Sequence, residues 1–193
     1  MIEATLDIAS ERGYDGTTVA LVTERTGLPA SSIYWHFGSK DKLLAATLEH
    51  SYDQWRSAIG PWATSGEPDA LPEKLEYRMQ KASVGFAMNP QFWGLGLLLA
   101  MQQRVEEPAA RRIFVEVRRQ TTAGIRDDWR ELVDPAVLER DPAIPDQLAE
   151  FYMILMDGMF VHVRSTAARD VPRMVSLIAD GMAAMMLEEG WAS

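Results

Sequence analysis

The chain has 193 residues, 47% of them hydrophobic, with no cysteine and a formal net charge of −9. That is enough apolar material for one large or two small domains, and it excludes a disordered chain, a disulfide framework, a thiolate metal site and a cysteine nucleophile. The acidic balance argues against a nonspecific nucleic-acid coat, which would be basic, but not against a sequence reader, for which only the local contact face matters.

Apolar spacing predicts helices over about 1–12, 18–25, 29–36 and 40–59. Ile2, Leu6 and Ala9 line the first. Thr17 and Thr18 offer hydroxyls to the free N–H groups at the start of the second, where Val19, Val22 and Thr23 recur until Gly27 ends the run. Leu28 and Pro29 restart a short third helix, anchored by Ile33 and Phe37 and carrying Ser31, Ser32, Tyr34 and His36. Ser39, followed by Lys40-Asp41-Lys42, supplies an N-cap for the fourth helix, lined at its start by Leu43, Leu44, Thr47 and Leu48. Gly60-Pro61 and Thr64-Ser65-Gly66-Glu67-Pro68 read as a linker.

The next helix, about 71–88, carries Leu71, Leu75, Met79, Ala82 and Phe86 at three- or four-residue steps until Asn89-Pro90 breaks it. Phe92 to Met101 is apolar nearly all round, which predicts a helix enclosed by others. Pro108 opens a long amphipathic helix to about Val133, with Ile113, Val117, Thr121, Gly124 and Ile125 on one side. Asp134-Pro135 and the Pro142/Pro145 segment read as irregular, and two last helices follow at about 146–167 and 171–188. No strand-like alternation, internal repeat or low-complexity tract is present, so the expected fold class is all-α.

Helix, glycine turn and polar-faced second helix together make a helix-turn-helix, a unit that places its second helix in the DNA major groove. The order G-x-x-x-T-T-V from Gly13, T-G-L from Thr26 and S-S-I-Y-W-H-F-x-S-K-x-x-L-L from Ser31 resembles the N-terminal domain of TetR-family transcriptional repressors. The resemblance covers roughly the first fifty residues. It implies an all-helical homodimer: a DNA-binding head over 1–45 and a ligand-binding and dimerisation domain over 46–193 that holds a small-molecule inducer. It also implies a short basic arm ahead of the first helix. Residues 1–50 themselves hold seven acids and four bases.

Tyr34, His36 and Lys40 are expected to clamp one stretch of phosphate backbone, and the matching positions in the resembling family contact phosphates. Trp35, with its larger apolar ring, is expected to pack between helices. Base reading falls to Ala30, Ser31 and Ser32, with Ala20 and Thr18 on the preceding helix. Serine can hydrogen-bond several base edges and alanine can touch a thymine methyl, but neither gives the bidentate discrimination of arginine on guanine. Arg25, at a helix end, reads as a solvated partner of the carbonyl dipole.

Trp55, Tyr77, Met79, Met88, Phe92, Trp93, Met101, Phe114, Trp129 and Met153 are large side chains suited to an apolar or aromatic ligand, with Met allowing the site to reshape. The bland alternative is ordinary core, which is what a Met or Trp at helical spacing most often is. Gln102, Arg118, Thr121 and His162 are candidate polar anchors, although a satisfied interhelical hydrogen bond is the ordinary role of such a residue. Phe151, Leu155, Met159 and Val163, with Met174, Ile178, Met182 and Met185, form stripes that could pair with two-fold copies in a four-helix interface.

The three histidines, His36, His50 and His162, have no metal-binding spacing, and no nucleophile elbow, phosphate loop or dinucleotide glycine pattern occurs. No catalytic residue, cofactor or metal is therefore expected. No run approaches the ~20 apolar residues of a membrane span and no leader opens the chain, so the expected location is cytoplasmic. The sequence reads as a ligand-responsive DNA-binding regulator, a repressor released from a double-stranded operator by a small molecule. The alternative is a ligand-binding or interaction module that has lost tight DNA binding.

Overall fold

The computed structural model describes residues 1–60, 66–88, 90–101, 109–166 and 170–192. Among these residues it has ten helices and no strand: α1 (Ile2–Gly16), α2 (Val19–Thr26), α3 (Ala30–Phe37), α4 (Lys40–Ile59), α5 (Leu71–Met88), α6 (Gln91–Met101), α7 (Ala109–Arg130), α8 (Pro135–Arg140), α9 (Ile144–Ser165) and α10 (Val171–Glu188). The all-α expectation holds.

Local chemistry sets most of the boundaries. Thr18 alone caps α2, its Oγ1 accepting from the Leu21 N–H at 3.2 Å. Thr17, expected to help, is buried and donates back to the Gly13 carbonyl at 2.7 Å, so its hydroxyl closes α1 instead. Gly27 ends α2 at φ 69°, ψ 3°, a left-handed conformation that glycine adopts without the Cβ penalty. Ser39 Oγ accepts from the Lys42 N–H at 3.1 Å, the expected cap of α4.

The stretch read as irregular around Pro135 is in fact helical. Asp134 caps α8, with Oδ1 accepting from the Ala136 N–H at 2.8 Å, and Pro135 stands where a helix has no use for its missing N–H. Pro145 plays the same part in the first turn of α9.

The chain forms two compact units, Met1–Ala58 with Met88–Arg118, and Ile59–Ala87 with Arg119–Ser193. A division at residue 45 would fall inside the unbroken helix α4. In the first unit, Ile8, Val22, Ile33 and Leu43 form a buried core with Met1, Ile2, Val19, Leu21 and Phe37 packed against it. This core fixes α1 to α4 around the turn at Gly27, and α6 packs along α1. Helix α6 is only partly enclosed. Phe92, Trp93, Leu95, Gly96 and Leu99 are buried, whereas Leu98 and Met101 are exposed. A Cβ at Gly96 would stand 2.0 Å from Phe114 Cδ2, so the phenyl ring lies directly on the α6 backbone.

In the second unit the core comes from Leu71, Leu75 and Met79 of α5, Trp129 of α7, and the inner faces of α9 and α10. Arg78 is buried and forms a forked ion pair with Glu67, Nε to Oε2 at 2.8 Å and Nη2 to Oε1 at 2.6 Å. That hydrogen bonding, against the cost of burial, holds the guanidinium pKa above its ordinary value. Gln80 Nε2 donates to the Pro172 carbonyl at 2.8 Å and Ser176 donates to Glu76, tying α5 to α10. The backbone N–H of Asp134 donates to the Trp191 carbonyl at 2.8 Å, which holds the C-terminal residues against the start of α8.

Candidate functional site

Helix α3 is eight residues long, about 12 Å at 1.5 Å per residue. Ile33 is fully buried and anchors it, while Ser31, Tyr34 and Trp35 fall at i, i+3 and i+4 and share the outward face. Tyr34 is 53% exposed and Trp35 81% exposed. The expectation that Trp35 packs between helices is therefore wrong. It lies 200° round the helix from Ile33 at 100° per residue, so burying Ile33 turns the indole to solvent. Its indole meets the His36 imidazole edge-on, at 4.6 Å between centroids.

Of the other residues expected at DNA, Thr18, Ala20, Ser31 and His36 are exposed, and Ala30, Ser32 and Lys40 half-buried. All eight belong to the first unit and to the corner formed by α2, α3 and the start of α4. Lys40 is held in a defined place, with Nζ 5.0 Å from the centroid of the Tyr14 ring and 3.5 Å from the Asp15 carbonyl oxygen. Arg25 does not stand alone at its helix end: Nη2 lies 3.5 Å from Glu11 Oε2 of α1. A helix is about 10–12 Å across with its side chains and fits a major groove about 12 Å wide, where a face of hydroxyls, a phenol and an indole beside the Lys40 ammonium can contact base edges, thymine methyls and phosphates.

The residues expected to bind a ligand fall into two groups. Trp55, Phe92, Trp93 and Phe114, joined by Tyr52, form one ring cluster in the first unit. Trp55 and Trp93 meet edge-on at 5.5 Å and Phe92 and Trp93 at 5.4 Å, while Phe92 and Phe114 lie tilted at 5.4 Å. Arg118 stands over the Trp93 ring at 5.5 Å. Met79, Trp129 and Met153 are buried in the second unit, where Trp129 meets Tyr152 edge-on at 6.3 Å. There Thr121 Oγ1 is buried with no hydrogen-bond partner among the described residues.

Two expectations need correction. Met101 is 70% exposed and Tyr77 is exposed as well, because each lies on the outer side of its helix, so neither lines an enclosed cavity. Gln102 and the Met88 side chain lie outside the described residues. His162 is exposed.

Of the residues expected at a dimer interface, two need correction. Met159 and Met182 are buried within their own unit, whereas the expected Phe151 is exposed, as are Ile154, Val161, Leu177 and Leu187 of α9 and α10. Leu155, Met174, Ile178 and Met185 are half-buried. No group of His, Asp and Glu among the described residues is placed to hold a metal ion, and no described helix is long and apolar enough to cross a membrane.

Comparison with known proteins agrees with this geometry. Residues 1–47 match the family described as bacterial regulatory proteins, tetR family. The class A tetracycline repressor protein from transposon 1721 of Escherichia coli is 39% identical over 71 residues, a match that spans 31% of this chain and only 33% of that repressor's length. The HTH-type transcriptional regulator BetI of Vibrio campbellii is 22% identical over 140 residues, 69% of this chain and 70% of BetI. Among solved structures, a transcriptional regulator from Rhodococcus superposes with a TM-score of 0.66 at 20% identity, covering 97% of this chain and 94% of the other.

Proposed function

From the premise that this chain belongs to the TetR family of transcriptional regulators and is a DNA-binding regulator, we propose that it is a cytoplasmic, homodimeric repressor released from its operator by a small apolar or aromatic molecule. Membership also makes it a regulator and not an enzyme. The observation that carries the reading is the outward face of α3, where Tyr34 and Trp35 stand in solvent while Ile33 is locked inside. A folded protein has no packing reason to expose two large rings side by side, and such a patch is characteristic of an interaction surface.

Each side chain then has a part. Tyr34, His36 and Lys40 hold phosphates. Ser31, Ser32 and Ala30 meet base edges, with Ala20 and Thr18 at the margin. Trp35 joins them by laying its indole against sugar or a thymine methyl. The inducer site draws on the ring cluster of Trp55, Phe92, Trp93 and Phe114 with Arg118, or on Met79, Thr121, Trp129 and Met153 in the second unit. The unpartnered Thr121 hydroxyl supports the latter set, because a ligand acceptor would satisfy it. A coupling of about 1–3 kcal/mol between inducer and DNA gives a 5–150-fold switch.

The acidic head, with seven acids and four bases in residues 1–50, favours the second reading, a ligand-binding or interaction module without tight DNA binding. One experiment separates the two. Fragments of genomic DNA are selected on the purified protein, and the winning fragment is titrated at several salt concentrations with wild type and Lys40→Ala. The repressor reading expects specific retention, and a salt dependence about one unit of slope flatter in the variant. Failure to enrich any fragment would leave the module reading standing. An unchanged slope would remove Lys40 from the phosphate contacts.

A further inference from the structure

We propose that Asp41 is a positioning residue that couples DNA contact to the start of α7, an inference that rests on the regulator reading above. Its carboxylate, at the second position of α4, is shared between two other helices. Oδ1 accepts from the Tyr14 hydroxyl near the end of α1 at 2.6 Å, and Oδ2 accepts from the backbone N–H of Ala109, the first residue of α7, at 2.7 Å. Tyr14 is in turn the ring beneath the Lys40 ammonium. One side chain thus joins the first turn of α7 to the aromatic seat of a residue assigned to the DNA phosphates.

The chemistry makes this junction sensitive to displacement. The Ala109 N–H is one of the donors that a helix start leaves without an intrahelical acceptor, and the dipole there favours an anionic oxygen. Both bonds to Asp41 are short and charge-assisted, hence directional. The apolar packing of α6 along α1 is non-directional by comparison and gives way to small sliding movements. A carboxylate has one plane, so rotating it to follow a shifted α7 misaligns its other oxygen from the Tyr14 hydroxyl. Movement at Ala109 therefore reaches Tyr14 and Lys40 through two bonds, and DNA engagement at Lys40 reaches Ala109 by the same route.

Coupling between sites is reciprocal, so DNA itself serves as the probe. Amide hydrogen exchange is measured on the full chain, free and bound to the selected DNA fragment. In wild type, DNA should slow exchange in the first turn of α7, at Ala109 and Ala110, by about tenfold, within the usual range of site coupling. In Asp41→Ala that DNA-dependent difference should vanish while the protection of α2 and α3 by DNA persists. Should Asp41→Ala fail to fold, Tyr14→Phe removes only one of the two partners and should abolish the same difference. A helix cap with no coupling role would raise exchange at Ala109 equally with and without DNA, leaving the difference intact in the variants. That result, or the absence of a DNA-dependent difference in wild type, overturns the proposal. Failure of any fragment to bind wild type is a separate outcome that overturns the regulator reading, and the proposal with it.

Discussion

The Tyr152 phenol lies in the core of the second unit beside Trp129, and burial raises its pKa above the ordinary value of 10.0. The folded state therefore keeps a proton that the unfolded chain releases above about pH 10. The sign follows directly: the phenol's contribution to stability is complete below pH 10 and is lost as pH rises, because only the unfolded state gains from ionisation there. The slope is at most about 1.4 kcal/mol per pH unit. Tyr152→Phe has no proton to lose, so between about pH 9 and about pH 11 its urea midpoint should fall less than that of wild type. Equal losses would show that the phenol ionises in place. Neither this burial nor the exposure of Trp35 follows from residue type, since both rings are large and amphipathic. Trp35 was nevertheless legible from position, two residues beyond an anchor that sequence identified correctly. Size was the misleading cue and helical angle the informative one.

Several helix boundaries were legible from a capping side chain or a turn glycine. Thr18, Gly27 and Ser39 stand where local hydrogen bonding and the left-handed turn place them. Helix α8 was hidden because two prolines suggested a break, although proline at the first position after an aspartate cap starts a helix as readily as it ends one. What sequence did not show was partnership across distance. Glu67 read as part of a polar linker, yet it grips Arg78 eleven residues later in a buried fork. Glu67→Ala should lower stability by about 3 kcal/mol, the low end for breaking a buried pair, because Asp128 and Glu131 also act on the stranded guanidinium. Chemical denaturation measures it. A loss below about 1 kcal/mol, the range of an exposed pair, would mean that solvent reaches Arg78.

At the scale of the molecule, a helix-turn-helix reader gains specificity by spanning two half-sites about 34–36 Å apart, which requires two copies. Helices α9 and α10 pack on each other and present Phe151, Ile154, Val161 and Leu177 to solvent, the second 65% and the last 54% exposed. Gly158 and Gly181 lie in the same two helices with nothing within 4 Å of an added Cβ, so each leaves open space that a neighbouring helix could fill. The stripes expected from sequence share Phe151 with this surface but include Met159 and Met182, which face the interior, because helical periodicity reports apolar faces without saying which face meets the chain's own core. The difference changes the test. A charge at Met182, 1% exposed, would damage the fold and report nothing about association. Leu177→Glu places its charge on the open surface, so circular dichroism should match wild type while sedimentation shows monomers. Affinity for the selected fragment should fall with it, since a single head contacts half the site. Dimers persisting undiminished in Leu177→Glu would put the two-fold axis on another surface of the chain.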